Sequence, residues 1–241
     1  MIDIRSRNNE KIVAFRRLHQ AKYRQEEQRF LVEGFHLIEM ALKHGQLEVL
    51  LTTKPLPTMF ASVEQYLVTP EIIDKLSQLS SPTSVIGVCR YQNETPLKGD
   101  KLLYLDNVND PGNVGTIIRT ALAFGFDGVA LSPQTASIYN SKTIMSSQGA
   151  IFDMPFFVAD YDWLLQMKKT HPILVSTLEE ARELSSVKSQ KCFILVLGNE
   201  SHGASQEVHA LADFKIKIPI QNIDSLNVAI AGAILMYHLS R

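Results

Sequence analysis

The sequence predicts an α/β protein in which a mostly parallel sheet, with helices on both faces, follows a smaller α/β domain. In the second half, six short apolar runs alternate with helix-like segments, which is typical of parallel strands buried on both faces. Residues 91–101 are polar, contain Pro96 and Gly99 and show no periodicity, as expected of an exposed connection between domains. The sequence therefore predicts two domains, residues 1–95 and residues 101–241.

The first predicted domain alternates helices with strands. Asn8 or Asn9 can cap a helix that runs to about Lys22, because apolar side chains recur at helical spacing after it. The next helix stops before Gly45, which supplies a left-handed residue. These later helices cover residues 35–43 and 71–79, and the predicted strands cover residues 30–32, 47–51 and 85–89.

In the second predicted domain the apolar runs are the strands, and helices fill the segments between them. The carboxyl ends of neighbouring strands form one crevice, so polar turns that follow them can line a single ligand site. The predicted strands cover residues 102–105, 128–131, 156–158, 173–176, 192–197 and 214–218.

Composition narrows the class of protein. With 241 residues, of which 45% are apolar, the chain can bury a substantial core. The longest apolar runs fall far below the roughly 18 residues that span a bilayer, and the charged first residues lack the apolar core of a secretory signal. Cys89 and Cys192 support neither a disulfide framework nor a metal cluster. We therefore expect a cytoplasmic protein with no membrane segment.

Charge is distributed unevenly along the chain. The formal net charge is −1, yet residues 1–29 carry eight Lys or Arg against four Asp or Glu. A basic leading segment suits contact with nucleic-acid phosphates. The alternative interpretation is that these residues are the solvated faces of amphipathic helices, and charge alone does not decide between the two.

The first polar turn, NDPGNVGTIIRTA, covers residues 109–121. Residues 110–112 force a tight bend, and Asn113 is suited to cap a helix that begins with Val114. Arg119 follows Asn113 by six residues, nearly two helical turns, so both can face the same side. Taken alone, the turn is more typical of a capped structural helix whose arginine makes a surface ion pair.

The second turn, LGNESHGAS, covers residues 197–205. Gly198 closes an apolar strand, and Glu200 should project into the crevice at its end. Gly203 permits a bend into a helix that Ser205 can cap. A solvated loop glutamate is the alternative interpretation of Glu200.

The third turn, IPIQNIDSLNVAIA, covers residues 218–231. Pro219 ends a strand, the polar residues 221–224 cross the crevice, and Ser225 can cap a helix whose next residues include Asn227. Helix capping and burial are a sufficient structural explanation of Ser225 and Asn227 on their own.

In this order, the three turns resemble the motifs of the SpoU/TrmH family of SPOUT RNA 2'-O-ribose methyltransferases. The first turn departs from the family pattern only at Asp110, and in the second Ser201 replaces a glycine. The resemblance implies S-adenosylmethionine as cofactor without a metal, a carboxyl-terminal trefoil knot, and a homodimer with sites at the subunit contact. It also implies that the leading domain is an RNA-binding domain of the L30e-like type.

The resemblance also assigns residues to the site. Arg119 matches the principal catalytic residue of the family; because arginine does not readily give up a proton, we expect it to bind phosphate and to orient the ribose hydroxyl. The implied active site is completed by Asn113, Glu200, Ser225 and Asn227. The implied cofactor contacts lie at Leu197, Gly198, Asn199, Ile218, Ile220 and Leu226.

Ribose methylation of RNA, ribosomal RNA ahead of transfer RNA, is therefore the predicted function. A non-catalytic RNA-binding or ribosome-assembly factor with the same fold is the alternative from another class. A different nucleotide-dependent α/β enzyme is a further alternative, although the chain carries no Gly-x-Gly-x-x-Gly and no phosphate-binding Gly-Lys-Ser/Thr loop.

Overall fold

A computed structural model describes residues 2–79, 83–187 and 190–241 of the chain. It divides into two compact units. The leading unit comprises Met1–Asn93 and Tyr139–Ile144, and the main unit comprises Glu94–Ile138 and Met145–Arg241.

The leading unit contains a five-stranded mixed sheet. Its strands are β1 (Ile2–Ile4), β2 (Arg29–Glu33), β3 (Leu47–Thr52), β4 (Glu64–Val68) and β5 (Val85–Arg90). The strand order is β1-β4-β3-β5-β2, with β5 antiparallel to both of its neighbours. The three predicted strands are confirmed, whereas β1 and β4 were not predicted, because β1 has three residues and β4 begins with two polar ones.

The helices of the leading unit are α1 (Glu10–Arg17), α2 (Ala21–Glu27), α3 (Phe35–Lys43) and α4 (Pro70–Leu76). Helix α3 has its predicted bounds, and Gly45 has the predicted left-handed conformation, with φ +66°. Asn9 caps α1 by accepting a hydrogen bond from the Lys11 N–H.

The prediction that the first helix runs to Lys22 was wrong, because the helix is interrupted after Arg17. The buried Arg24 guanidinium donates to the carbonyls of Leu18 at 3.0 Å and His19 at 2.8 Å. A cation that binds the last carbonyls of a helix stabilises its end. Gln20 is extended there, so α2 starts as a separate helix.

The main unit contains a parallel seven-stranded sheet. Its strands are β6 (Lys101–Asp106), β7 (Gly128–Leu131), β8 (Phe156–Val158), β9 (Ile173–Ser176), β10 (Arg182–Glu183), β11 (Phe193–Gly198) and β12 (Phe214–Lys217). The order is β10-β12-β9-β11-β6-β7-β8, and every neighbouring pair is parallel. All six predicted strands are confirmed; the two-residue β10 was not predicted.

Helices cover both faces of this sheet, as predicted. The helices of the main unit include α5 (Pro111–Ala123), α6 (Ser141–Ser147), α7 (Ala150–Asp153), α8 (Tyr161–Met167), α9 (Gln206–Leu211) and α10 (Val228–Leu239); the first residues of α6 belong to the leading unit. Leu164 of α8 and Val208 of α9 pack with Val196 of β11 in one core cluster. Leu197, the next residue of that strand, approaches α5 and α10 on the other face.

Helix α10 returns from β12, near the end of the sheet, to the middle of the opposite face, where it packs on α5 and β11. Gly232 permits this close packing. A Cβ at that position would lie 2.7 Å from Leu197 Cδ1 and 3.9 Å from Ile117 Cγ1. Of the helices in the described ranges, none is long and apolar enough to cross a membrane.

Gly232→Val should therefore lower the free energy of unfolding by about 1–3 kcal/mol, because the added methyl groups overpack the contact with Leu197. Denaturant unfolding at one protein concentration measures the loss. Ala233→Val, at the half-buried next residue, is the matched control and should cost less. Equal losses for the two variants would contradict this packing of α10.

Candidate active site

The three polar turns of the sequence meet at the carboxyl ends of β6, β11 and β12. The Glu200 carboxylate accepts hydrogen bonds from Asn113 Nδ2 at 3.0 Å, from the Asp110 N–H at 3.2 Å and from the Asn109 N–H at 3.3 Å. Glu200 therefore joins the second turn to the first.

Asn113 also joins the first turn to the third. Its Oδ1 accepts a hydrogen bond from Asn227 Nδ2 at 3.0 Å. Asn227 Oδ1 in turn accepts from the Ala229 N–H at 2.9 Å and the Ile230 N–H at 3.3 Å. One chain of side chains, Glu200 to Asn113 to Asn227, thus connects three segments that are distant in sequence.

Two predicted helix caps were wrong. Asp110, not Asn113, caps α5 by accepting the Asn113 N–H at 2.9 Å, because Pro111 occupies the first helical position. Asn227, not Ser225, caps α10. The predicted cap of α9 is confirmed, since Ser205 accepts the Val208 N–H.

Asn199 holds the second turn in shape. Its Nδ2 donates to the Asn107 carbonyl at 2.8 Å, and its Oδ1 accepts from the N–H groups of Ser201 at 2.9 Å and His202 at 3.2 Å. Its main chain exchanges two hydrogen bonds of 2.9 Å with Gly203, which has φ +71°. Both polar atoms of the Asn199 side chain therefore make hydrogen bonds within the protein.

Two further residues position this turn. The buried carboxylate of Asp106, at the end of β6, accepts the Ser205 N–H at 2.7 Å. A Cβ on Gly198 would lie 2.1 Å from the Ala204 nitrogen, so only glycine fits there. Asp106 was not singled out from the sequence; an acidic residue that ends a buried strand was the available signal.

A cavity of about 490 Å³ lies beside this turn, within the range of ligand sites. Eight of the predicted site residues line it: Leu197, Gly198, Asn199, Glu200, Ile218, Ile220, Ser225 and Leu226. The sequence did not predict the other wall, which includes residues 176–179, Gln206, His209 and Lys217. These residues do not belong to the three polar turns, so no sequence motif indicated them.

Arg119 lies apart from this group. It is exposed on α5 and makes no hydrogen bond or ion pair with any residue in the described ranges. Six helical residues correspond to about 600° of rotation, so Arg119 and Asn113 are about 120° apart around the helix axis. The structure therefore does not bring Arg119 onto the side of α5 that holds Glu200.

Hydrogen bonding keeps Glu200 ionised. Burial raises the pKa of this carboxyl, but hydrogen bonds from the Asn113 side chain and from the N–H groups of Glu200, Asp110 and Asn109 together hold it below its ordinary value. At neutral pH Glu200 is therefore an anion that accepts hydrogen bonds rather than a proton donor.

Comparison with known proteins identifies the family. The model of the SpoU rRNA Methylase family matches residues 100–237, more than half of the chain. The chain belongs to the SpoU rRNA methylase family. Residues 9–87 match the MRM3-like substrate binding domain. The family expected from the three turns is thereby confirmed.

Two curated relatives of this SpoU protein match along most of its length. It is 32% identical over 246 residues to the 23S rRNA (guanosine(2553)-2'-O)-methyltransferase RlmP of Bacillus subtilis, covering 99% of each chain. It is 27% identical to the 23S rRNA (uridine(2479)-2'-O)-methyltransferase of Streptomyces viridochromogenes, over 88% of this chain and 82% of that one.

Solved structures share the fold. The AdoMet-bound rRNA methyltransferase from Sinorhizobium meliloti superimposes with a TM-score of 0.91 at 27% identity, covering 98% of this chain and 96% of that one. The SpoU methyltransferase AviRb from Streptomyces viridochromogenes, in complex with AdoMet, gives 0.86 at 26% identity and covers 97% of each chain. The SPOUT fold with its carboxyl-terminal knot is thus confirmed, and both of these solved relatives hold AdoMet. In the described part of the chain, no group of three or more His, Cys, Asp or Glu side chains could hold a metal ion.

The lowered pKa of Glu200 predicts a pH dependence. A carboxyl whose pKa is lower in the folded state stabilises the fold above its unfolded pKa of about 4.3, and this stabilisation is lost as pH falls through the folded pKa. Glu200→Gln should remove it, so the Tm difference between wild type and variant should shrink as pH falls from about 6 to about 3.

Glu179→Gln is the matched control for this series. Glu179 lines the same cavity, but its carboxylate makes no hydrogen bond with the residues described. Thermal unfolding across pH should show no comparable convergence for it. A Glu200→Gln curve that runs parallel to the wild-type curve would show that these hydrogen bonds do not hold the carboxylate.

Proposed function

We propose that this SpoU protein transfers the methyl group of S-adenosylmethionine to the 2'-hydroxyl of a nucleotide in ribosomal RNA. The observation that carries this proposal is the convergence of the three turns on one cavity, beside the Glu200–Asn113–Asn227 chain. The curated relatives support ribosomal RNA as the substrate class, and their names place the methyl group on different nucleotides.

The cavity suits S-adenosylmethionine. The main chain at Leu197, Gly198, Asn199, Ile218, Ile220 and Leu226 would hold it. When bound, it supplies a methyl group on a sulfonium, whose departure as a neutral thioether requires in-line placement of the nucleophile. Because Gly198 has no side chain, the second turn can pack closely against Ala204 beside the cavity.

The polar residues have complementary roles in this proposal. The Glu200 anion, with Asn113, Ser225 and Asn227, orients the groups that meet at the mouth of the cavity. Arg119 binds an RNA phosphate and orients the ribose hydroxyl; its guanidinium does not readily lose a proton, so it does not act as a simple base. The proton of the hydroxyl passes to another acceptor.

Arg119→Ala should abolish methyl transfer while leaving cofactor binding intact, because Arg119 lies outside the cavity. The assay follows labelled methyl groups from S-adenosylmethionine into ribosomal RNA and identifies a 2'-O-methyl nucleotide after digestion. Arg119→Lys keeps the positive charge but lacks the planar guanidinium, so it should recover only part of the methyl-transfer rate.

Near-normal turnover by folded Arg119→Ala would refute the role of Arg119. A wild-type protein that binds RNA and S-adenosylhomocysteine but transfers no methyl group to any RNA would instead favour the non-catalytic factor. Titration with S-adenosylhomocysteine and thermal unfolding provide the controls for binding and folding.

The protein acts as a homodimer in this proposal. Apolar side chains remain exposed on α5 and α10: Leu122 at 36%, Ile230 at 52%, Ile234 at 38% and Tyr237 at 45%. A helix that is apolar all round is ordinarily buried, which favours a partner on this surface. Arg119 lies three residues before Leu122, on the same side of α5. Two-fold pairing through this surface would present Arg119 to the site of the other subunit.

A mixed dimer tests this arrangement. Arg119→Ala and Glu200→Ala chains, each inactive alone, should together recover about a quarter of the wild-type rate after co-expression, because half of the dimers then contain one complete site. The methyl-transfer assay on the purified mixture measures this. An inactive mixture that contains the mixed dimer would place both residues in the same subunit, and a monomer in sedimentation would refute the dimer itself.

The two predicted domains have different roles in this proposal. Residues 101–241 form the catalytic domain, and residues 1–95 form a cytoplasmic RNA-binding domain whose match to a substrate binding domain supports this role. Arg16, Arg17 and Lys22 are exposed on α1 and α2, where they can contact phosphates.

A further inference from the structure

The cavity has a polar wall that the three turns do not explain. Lys217, the last residue of β12, lines it together with residues 176–179 and with Gln206 and His209 of α9. Of the described residues that line the cavity, Lys217 is the only Lys or Arg, whereas Glu179 and Glu200 are both acidic. The cavity therefore has one permanently cationic side chain.

The Lys217 ammonium forms no ion pair within the described ranges. Lys217 is half-buried and makes no ion pair or hydrogen bond with the residues described, although Glu183 is its register neighbour on β10. Other lysines of this region are paired: Lys168 Nζ lies 2.8 Å from Asp213, and Lys215 Nζ lies 3.7 Å from Glu180. A partly desolvated cation without a partner is unfavourable, so an anionic ligand group would stabilise it.

His209 gives a second, independent indication on the same wall. Its Nδ1 is buried and has no hydrogen-bond partner among the described residues. Buried polar atoms in folded proteins nearly always have one. Two polar side chains of one wall, both without partners in the described part of the chain, indicate that this wall receives a polar ligand group.

The charges of S-adenosylmethionine identify that group. The molecule carries a sulfonium, an ammonium and one carboxylate, and the carboxylate is its only anion. We propose that Lys217 binds this carboxylate and thereby orients the amino-acid end of the cofactor toward β12. This assignment rests on the proposed methyl-transfer function. Strand β9 separates β12 from β11, so Lys217 and Glu200 reach the cavity from strands two positions apart in the sheet.

Calorimetric titration of two probes into wild type and a Lys217 variant tests this contact directly. The probes are S-adenosylhomocysteine and its decarboxylated analogue, 5'-(3-aminopropylthio)-5'-deoxyadenosine, which keeps the ammonium. Wild type should bind S-adenosylhomocysteine about 10-fold or more tighter than the analogue, as expected for a charge-assisted hydrogen bond. Lys217→Gln should lose most of that preference and bind the analogue as wild type does.

Matched variants separate the contact from general damage. Lys215→Gln changes the same strand and the same sheet face outside the cavity and should keep the full preference. Lys217→Arg keeps the charge and should retain much of it. In turnover, Lys217→Gln should raise KM for S-adenosylmethionine about 10-fold, with kcat nearly unchanged at saturation.

Several outcomes would overturn the assignment. They are equal binding of both probes by wild type, an equal loss for both probes in Lys217→Gln, or unchanged S-adenosylhomocysteine binding with a raised KM for RNA alone. That last result would assign the ammonium to an RNA phosphate. Equal binding of both probes by wild type would overturn the assignment even if a variant fails to fold, and Lys217→Arg provides a second folded variant. Wild type that binds neither probe would contradict the proposed function as well, which distinguishes the two failures.

Discussion

The side-chain amide of Asn113 is the interaction on which the site depends. It donates to Glu200 and accepts from Asn227, and each of these residues belongs to a different turn. An amide can bridge two partners in this way because it has both a donor and an acceptor. A change of any one turn would leave a polar group of another without its partner, so the three turns hold each other in place.

The parallel sheet makes this meeting possible. Its central strands β6 and β11 run side by side and end together, at Asp106 and Gly198. Asp106 binds the backbone of the next turn, and Gly198 leaves no gap in which that turn could shift. Helix α10 then returns over the opposite face, with Gly232 against Leu197. The cavity is therefore lined in part by backbone that packing and hydrogen bonds hold in place.

In the single chain, the groups that face the ligand are only partly satisfied. Lys217 and the Nδ1 atom of His209 have no partner among the described residues, and Arg119 lies exposed beside an apolar surface of α5 and α10. In the proposals above, these features have a common explanation. There, the cofactor, the RNA and a second copy of the chain supply the contacts that the single subunit does not.

The sequence by itself predicted six of the seven strands of the main sheet, the positions of the three polar turns and the family, because apolar runs and short motifs are local signals. It also identified Asn113, Glu200 and Asn227, but not how they contact one another. Only the tertiary structure decided that Asp110 and Asn227 are the caps, that Arg119 lies outside the cavity, and that Lys217 lines it. The physical reason is range: Asn113 bonds to residues 87 and 114 positions away, and no local pattern encodes contacts between segments so far apart.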